Sequence, residues 1–325
     1  MKKVKVALIG TGNWCLQHCR VLKEHPKVEF CGILGRNKER TKKRAKLFDV
    51  PYYLDLKELI KNQKPDLINI SLPNEHHFNM TMQVIKSSCH LFVEKPLVFK
   101  MHEAKKLLAE AKKRKLFFGI NFNWRYSTPV TKAIKIIKEN KLGDINFITW
   151  RFGGTGGGGD PFGNIIETQC HGFDMLEYLN GPIKSIHSFM TNKTNNGFST
   201  FVISMKFKNK SVGSLVGSYD TSYAYPNTHY LEINGSSGRI LIEDQVRKYS
   251  FNKQDDETAE VWQSGFFNDY EREFHRTFDE HFNEVIKKFI NNEEPPVHAK
   301  VGKRVLELAL SSIESYKKGK IVHIK

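Results

Sequence analysis

Gly10, Thr11, Gly12, Asn13, Trp14 and Cys15 stand directly after the apolar run Val4–Ile9 and directly before a stretch of helical pattern. Two glycines at that spacing permit a tight turn. They also bring the backbone close to a pyrophosphate at a helix N-terminus, where unpaired N–H groups favour an anion. Cys15 takes the place of a third glycine and is small enough for helix and strand to pack. Gly10, Thr11, Gly12, Asn13 and Trp14 are therefore candidate contacts for a dinucleotide. The kind of dinucleotide is read at the end of the next strand, where a carboxylate would hold the 2′-hydroxyl of NAD. Gly35-Arg36-Asn37 stands there instead, with Lys38 and Arg40 beyond it. Arg36 suits a 2′-phosphate. NADP is the expected cofactor, and NAD is left open.

Three further clusters each follow an apolar run: Ser71-Leu72-Pro73-Asn74-Glu75-His76-His77, then Glu94-Lys95-Pro96, then Asn121-Phe122-Asn123-Trp124-Arg125-Tyr126. A lysine is by default a solubilising surface charge. Lys95 differs because it follows an apolar strand directly and Pro96 restricts the backbone behind it. Arg125 suits either a cofactor or substrate anion or a plain surface ion pair. Further on, Glu167 and His171 are four apart, which on a helix puts them on one face. Oxidising an alcohol removes a hydride from carbon and a proton from oxygen. Histidine titrates nearest neutral pH and suits the proton; a lysine cation favours a developing alkoxide.

Such clusters need rigid elements behind them. Val4–Ile9, Val28–Leu34, Leu67–Ser71, Leu91–Val93 and Leu116–Ile120 are near-continuous apolar runs separated by helical patterns, among them Lys38–Phe48, His77–Lys86 and His102–Arg114. That alternation predicts a Rossmann-type, doubly wound parallel sheet over residues 1–120, with ligands bound beyond the carboxyl ends of its strands. From residue 121 to 325 the pattern changes to an α+β domain expected to carry substrate and subunit contacts. Phe201, Ile203, Met205 and Phe207 alternate with Thr200, Val202, Ser204 and Lys206, a strand with one buried face. With Val212–Gly217, Tyr230–Asn234 and Ile240–Ile242 it predicts a large, open, mostly antiparallel sheet. The glycine-dense run Gly153–Gly159, ahead of Asp160 and Pro161, reads as a substrate lid or connector; its alternative is a cradle of N–H donors for an anion. Phe274, Phe278, Phe282, Val285 and Phe289 have helical spacing and read as core packing.

Bulk properties narrow the function. Five scattered cysteines without a Cys-x-x-Cys pair argue for reduced thiols. Cys15, His18 and Cys19 share a helix face, but two turns of one helix do not close a tetrahedral metal site, so no metal is expected. The net charge of +16 is spread over helical faces rather than clustered in a nucleic-acid module, which favours an anionic small molecule over nucleic acid. The basic start of the chain precedes an apolar run that Lys5 interrupts, too short for a secretion signal, and no later run is long enough to cross a membrane. A cytoplasmic protein without membrane contact is expected.

The glycine loop, Glu94-Lys95-Pro96, the segment 121–126, the stretch Gly163–Asp174, the later Glu232-Ile233-Asn234-Gly235-Ser236-Ser237-Gly238 and the C-terminal Glu294-Pro295-Pro296-Val297 together resemble the glucose–fructose oxidoreductase, inositol dehydrogenase and rhizopine-catabolism (Gfo/Idh/MocA) family. The resemblance spans nearly the whole chain in order. It implies an NAD(P)-dependent oxidoreductase acting on CH–OH groups of a sugar, sugar derivative or cyclitol. It makes Lys95 the catalytic lysine, touching the reacting hydroxyl and the nicotinamide ribose, with a cis bond to Pro96. It makes Glu167 and His171 catalytic, although the family usually has Asp where Glu167 stands and Gly where Gln169 stands. It puts Pro73 and His77 near the cofactor, in the company of Ser71, Asn74 and Glu94, and it implies a homodimer or homotetramer that covers the open sheet. Two other classes share the scaffold: a non-catalytic NADP sensor, and a glycosidase or epimerase that uses bound dinucleotide transiently. Lys95 and His171 together favour the dehydrogenase, because a sensor needs neither.

Overall fold

The computed structural model describes residues 3–157, 159–265 and 270–324. Along the first part of the chain run β1 (Val4–Ile9), α1 (Trp14–Glu24), β2 (Val28–Leu34), α2 (Lys38–Phe48), β3 (Tyr52–Tyr53), α3 (Leu56–Gln63), β4 (Leu67–Ile70), α4 (His77–Lys86), β5 (His90–Glu94), α5 (Met101–Lys113) and β6 (Phe118–Asn121). There follow α6 (Thr128–Lys138), β7 (Ile145–Gly153), α7 (Cys170–Asn180), β8 (Ile183–Thr191), β9 (Thr200–Phe207), β10 (Val212–Ser218), β11 (His229–Gly235), β12 (Gly238–Glu243), β13 (Lys248–Lys253), β14 (Glu260–Gln263), α8 (Tyr270–Ile290), α9 (Lys300–Lys318) and β15 (Val322–His323). Two compact units result: Met1–Phe122 with Phe278–Arg304, and Asn123–Thr277 with Val305–Lys325.

In the first unit six strands lie in the order β3-β2-β1-β4-β5-β6, all parallel. The order reverses between β1 and β4, so the loops after those two strands diverge there and leave a crevice for a ligand. β4 and β6 are buried along their whole length and β1 nearly so, as expected of a sheet covered on both faces. Part of the cover comes from the far end of the chain. Phe278, Phe282, Val285 and Ile286 of α8 are buried, and Phe282 meets Phe92 edge-on at 6.0 Å. The free edge of β6 is closed the same way: the Ile120 N–H donates to the Val297 carbonyl at 3.0 Å and the Ala299 N–H to the Phe118 carbonyl at 2.9 Å.

The second unit is built on nine strands in the order β14-β13-β12-β11-β7-β10-β9-β8-β15. Its pairings are antiparallel except for β7 with β10. The fold is thus α/β, a Rossmann sheet plus a domain with a large, mostly antiparallel sheet. On β9 the residues Phe201, Ile203, Met205 and Phe207 are buried while Val202, Ser204 and Lys206 are exposed, so one face is core. α7 is seated on that sheet tightly: a Cβ added to Gly172 would lie 2.6 Å from the indole nitrogen of the fully buried Trp150.

α7 starts later than the spacing of Glu167 and His171 suggests. Asn164–Thr168 forms a turn of π-helix, closed by the Gln169 N–H on the Asn164 carbonyl at 2.9 Å, and the α-helix begins only at Cys170. Glu167 therefore lies on the π turn and His171 on the α-helix that follows it.

Candidate active site

The first loop is shaped by what its glycines leave empty. Gly10 has φ of +135°, and a Cβ there would lie 1.9 Å from the Ser71 carbonyl oxygen. Only glycine lets the ends of β1 and β4 approach so closely. The Ser71 N–H bonds the Ile9 carbonyl at 2.9 Å, and the Cys15 thiol reaches the Ser71 carbonyl at 3.0 Å. A Cβ on Gly12, by contrast, would meet nothing within 4 Å. It points into open space at the start of α1, whose first turn has no side-chain cap and no acidic residue. A helix N-terminus beside open space fits a pyrophosphate. Thr11 is buried, while Asn13 and Trp14 are exposed around the opening, and Trp14 stacks on Phe278 at 6.3 Å. Arg44 of α2 reaches the Thr11 and Gly12 carbonyls at 3.3 and 3.4 Å, placing a cation beneath the loop. Arg36 is exposed at the end of β2, where the Asn37 side chain caps α2 by accepting from the Arg40 N–H.

At the end of β5, the Lys95–Pro96 bond is cis. Lys95 is half-buried, and its backbone N–H donates to the Glu94 carboxylate at 3.1 Å. That carboxylate is buried and also takes His18 Nε2 at 2.7 Å and Asn121 Nδ2 at 2.6 Å. Burial pushes the Glu94 carboxyl up, but the hydrogen bond and charge of His18, the Asn121 amide and the Lys95 ammonium together hold it below its usual range. His77 Nδ1 is 2.7 Å from the Pro96 carbonyl and Nε2 is 2.8 Å from the Leu72 carbonyl. Pro73 and Asn74 sit on the intervening loop, where Asn74–His76 makes a short 3-10 turn.

In the second unit, His171 is buried near the start of α7 and stacks on Trp124 with ring centroids 4.1 Å apart. Glu167 is half-buried on the π turn. Gln169, where the family has glycine, does not crowd that turn's exposed side. Its oxygen accepts from Trp150 Nε1 at 3.1 Å and its amide donates to the Phe152 carbonyl at 3.1 Å, so the side chain is turned into the core. Arg125 pairs bidentately with buried Asp174 at 2.6 and 2.9 Å and lies over the Tyr178 ring at 4.4 Å. Burial works against the Arg125 charge, and Asp174 more than restores it. The Arg125–Asp174 pair is largely buried rather than on the surface. In the glycine-dense run, a Cβ on Gly154 would lie 2.2 Å from the Tyr223 ring and one on Gly156 2.6 Å from the Tyr219 ring. These glycines make room for tyrosines; Gly158 lies outside the described residues.

The sequence pattern placed His18 only on a helix face with two cysteines and gave no sign of Asn69 or His281. Asn69 Nδ2 is 2.9 Å from His18 Nδ1, and His281 Nδ1 is 2.9 Å from the Asn121 oxygen. It passed over His229 too, whose ring lies 3.7 Å from Phe152 and which burial pushes down to about 3. The available signal was polar residues at apolar-periodic positions of otherwise buried elements. Among the described residues, no cluster of three or more His, Cys, Asp or Glu is arranged to hold a metal ion, and no helix is long and apolar enough to cross a membrane.

Two sequence models, described as an oxidoreductase family with NAD-binding Rossmann fold and as the C-terminal α/β domain of the same family, match residues 4–122 and 134–324. The chain belongs to the Gfo/Idh/MocA oxidoreductase family. A myo-inositol 2-dehydrogenase of Thermotoga maritima is 22% identical over 99% of both chains. An uncharacterised oxidoreductase of Synechocystis is 26% identical over 56% of this chain and 52% of its own length. Among solved structures, a levoglucosan dehydrogenase in complex with NADH and L-sorbose superposes with a TM-score of 0.89 at 18% identity, covering 100% of both chains. This Gfo/Idh/MocA protein is an oxidoreductase with a nicotinamide dinucleotide fold, and its glycine loop fits that cofactor.

Proposed function

We propose that the protein transfers a hydride between NADP and a CH–OH or keto carbon of a sugar, sugar derivative or cyclitol. The observation that carries this reading is Lys95, held at the carboxyl end of β5 by a buried carboxylate, in the same sheet as the Gly10–Trp14 loop. The names of the relatives support the substrate class: one is a myo-inositol dehydrogenase and another a levoglucosan dehydrogenase solved with L-sorbose.

A bound nicotinamide supplies the hydride acceptor or donor. Lys95 stabilises the alkoxide by its charge. His171 takes the hydroxyl proton during oxidation and returns it during reduction, and Trp124 keeps its ring oriented. Glu167 binds a substrate hydroxyl. The exposed Arg36 favours a 2′-phosphate and hence NADP over NAD. The unit of Met1–Phe122 with Phe278–Arg304 acts as the cofactor domain, taking in a segment beyond the expected boundary at residue 120, and the unit of Asn123–Thr277 with Val305–Lys325 as the substrate domain. The exposed, cross-strand pair Phe189 and Val202 supports pairing of subunits into a homodimer or homotetramer through the open sheet.

The test is a panel of myo-inositol, levoglucosan and L-sorbose with NAD and NADP, followed by nicotinamide absorbance, alongside calorimetric binding of both dinucleotides. Turnover of a polyol or sugar with NADP is the expected result. Dinucleotide binding without turnover of any hydroxyl or keto compound would instead favour a sensor.

A further inference from the structure

Five buried polar side chains from five elements converge on the single backbone N–H of Lys95. Asn69 on β4 holds His18 Nδ1; His18 on α1 and Asn121 on β6 hold one oxygen of Glu94 on β5; the other oxygen holds Lys95 N–H; and His281 on α8 holds Asn121. The His18 ring is fixed further by Phe278, edge-on at 5.6 Å. On the other side of Lys95, the ring of His77 joins the Pro96 carbonyl to the Leu72 carbonyl. Burying so many polar groups is costly, and a core of this size filled with apolar side chains would be at least as stable. Asn69 Oδ1 has no hydrogen-bond partner among the described residues, so a network of this kind is better explained by what it orients than by stability.

We propose that His18 and His77 are positioning residues that clamp Lys95 from either side, His18 through the Glu94 carboxylate and His77 through the Pro96 carbonyl. The proposal rests on Lys95 being the alkoxide-stabilising cation. A lysine side chain is flexible, with four rotatable bonds behind its ammonium. Fixing the backbone at its root and the strand end on both flanks narrows where the ammonium can go, and positioning of this order governs turnover more than binding. His18 supplies a hydrogen-bond donor at Nε2, which a glutamine amide can replace; leucine keeps bulk and removes the donor. For His77, glutamine can keep one of the two carbonyl bonds.

The experiment compares His18→Gln, His18→Leu, His77→Gln, His77→Leu and Lys95→Ala. It measures NADPH affinity by nicotinamide fluorescence, kcat and KM with NADP and the faster of myo-inositol and levoglucosan, and acetic anhydride labelling of Lys95 by peptide mass spectrometry. The leucine variants are expected to lose about thirtyfold or more in kcat, with NADPH affinity within about threefold, and to label at Lys95 faster, toward the rate of exposed Lys106. His18→Gln is expected to recover most of the kcat. Unchanged kcat and labelling in folded leucine variants overturn the clamp, and so does a loss that His18→Gln fails to rescue. If either leucine variant does not fold, Asn69→Ser and His77→Gln decide: a kcat loss of about threefold or more at unchanged NADPH affinity supports the clamp, and wild-type kcat overturns it. Lys95→Ala separates the two ideas. If it turns over normally, the catalytic reading of Lys95 fails; if it is inactive while the histidine variants are unaffected, the clamp alone fails.

Discussion

Trp124 and His171 lie face to face in the second unit, 4.1 Å between ring centroids and 12° between planes. The indole is itself wedged among Trp150 at 5.8 Å and Phe152 at 5.4 Å, so the imidazole rests on a support that cannot tilt. Trp124→Leu is expected to lower kcat about tenfold through loss of ring orientation, with KM and the far-ultraviolet spectrum nearly unchanged, and Trp124→Phe to keep most of the rate. Equal kcat in wild type and Trp124→Leu would show the stack to be packing alone.

For the reacting groups themselves, Lys95→Ala is expected to reduce kcat by about 10²–10³-fold and His171→Ala by about 10²-fold. Neither should weaken dinucleotide binding much, because the cradle of Gly10 and Gly12 is untouched. Full activity in His171→Ala would remove it as the proton carrier.

Gly10 and Gly12 separate folding from binding. Gly10→Ala drives a Cβ into the Ser71 carbonyl oxygen at a strained φ and should cost about 2–3 kcal/mol in chemical denaturation. Gly12→Ala puts its methyl into open space, so stability should change by less than about 0.5 kcal/mol while calorimetry shows roughly tenfold weaker dinucleotide binding. Undiminished binding by Gly12→Ala would displace the pyrophosphate from this loop.

Arg36→Ala is expected to lower the NADP-to-NAD preference about tenfold, the value of one charge-assisted contact on an exposed side chain. The ratio of kcat/KM for the two dinucleotides reads it directly. A constant ratio would turn attention to Arg44 beneath the loop.

His229 makes the second unit acid-sensitive. An unfolded histidine titrates near about 6.5, whereas burial pushes His229 down to about 3. Between these values the unfolded chain binds a proton that the native ring refuses, so stability falls as pH falls, at up to about 1.4 kcal/mol per pH unit. In His229→Phe this loss should disappear, narrowing the stability difference between neutral and mildly acidic buffer by about 2 kcal/mol in urea unfolding. An identical slope in both proteins would count against it.

The reach of the sequence follows the range of the interactions involved. Val4 to Glu24 is legible because strand, glycine turn and helix are written in adjacent residues. β9 is legible because Phe201, Ile203, Met205 and Phe207 keep strict alternation. β8 is not, because a register shift between Ile183 and Ser185 leaves Ser185 and Ile186 buried side by side. The π turn at Asn164–Thr168 has no residue-type signature. His18 and Glu94 are 76 positions apart, so no local period can join them. The place of Lys95 after a strand was legible, but the hydrogen bonds that join His18 and Asn121 to Glu94 were not.

The pairing of 297–299 with the last strand of the parallel sheet sets an order on biosynthesis. A nascent chain that has emerged only through Phe122 presents β6 with its outer row of amides and carbonyls bare, and with Phe92 and Phe117 lacking the aromatic rings that later cover them. The nucleotide-binding half therefore matures only after the chain through residue 299 has left the ribosome, and a fragment cut at Phe122 is expected to self-associate rather than stand as an autonomous module.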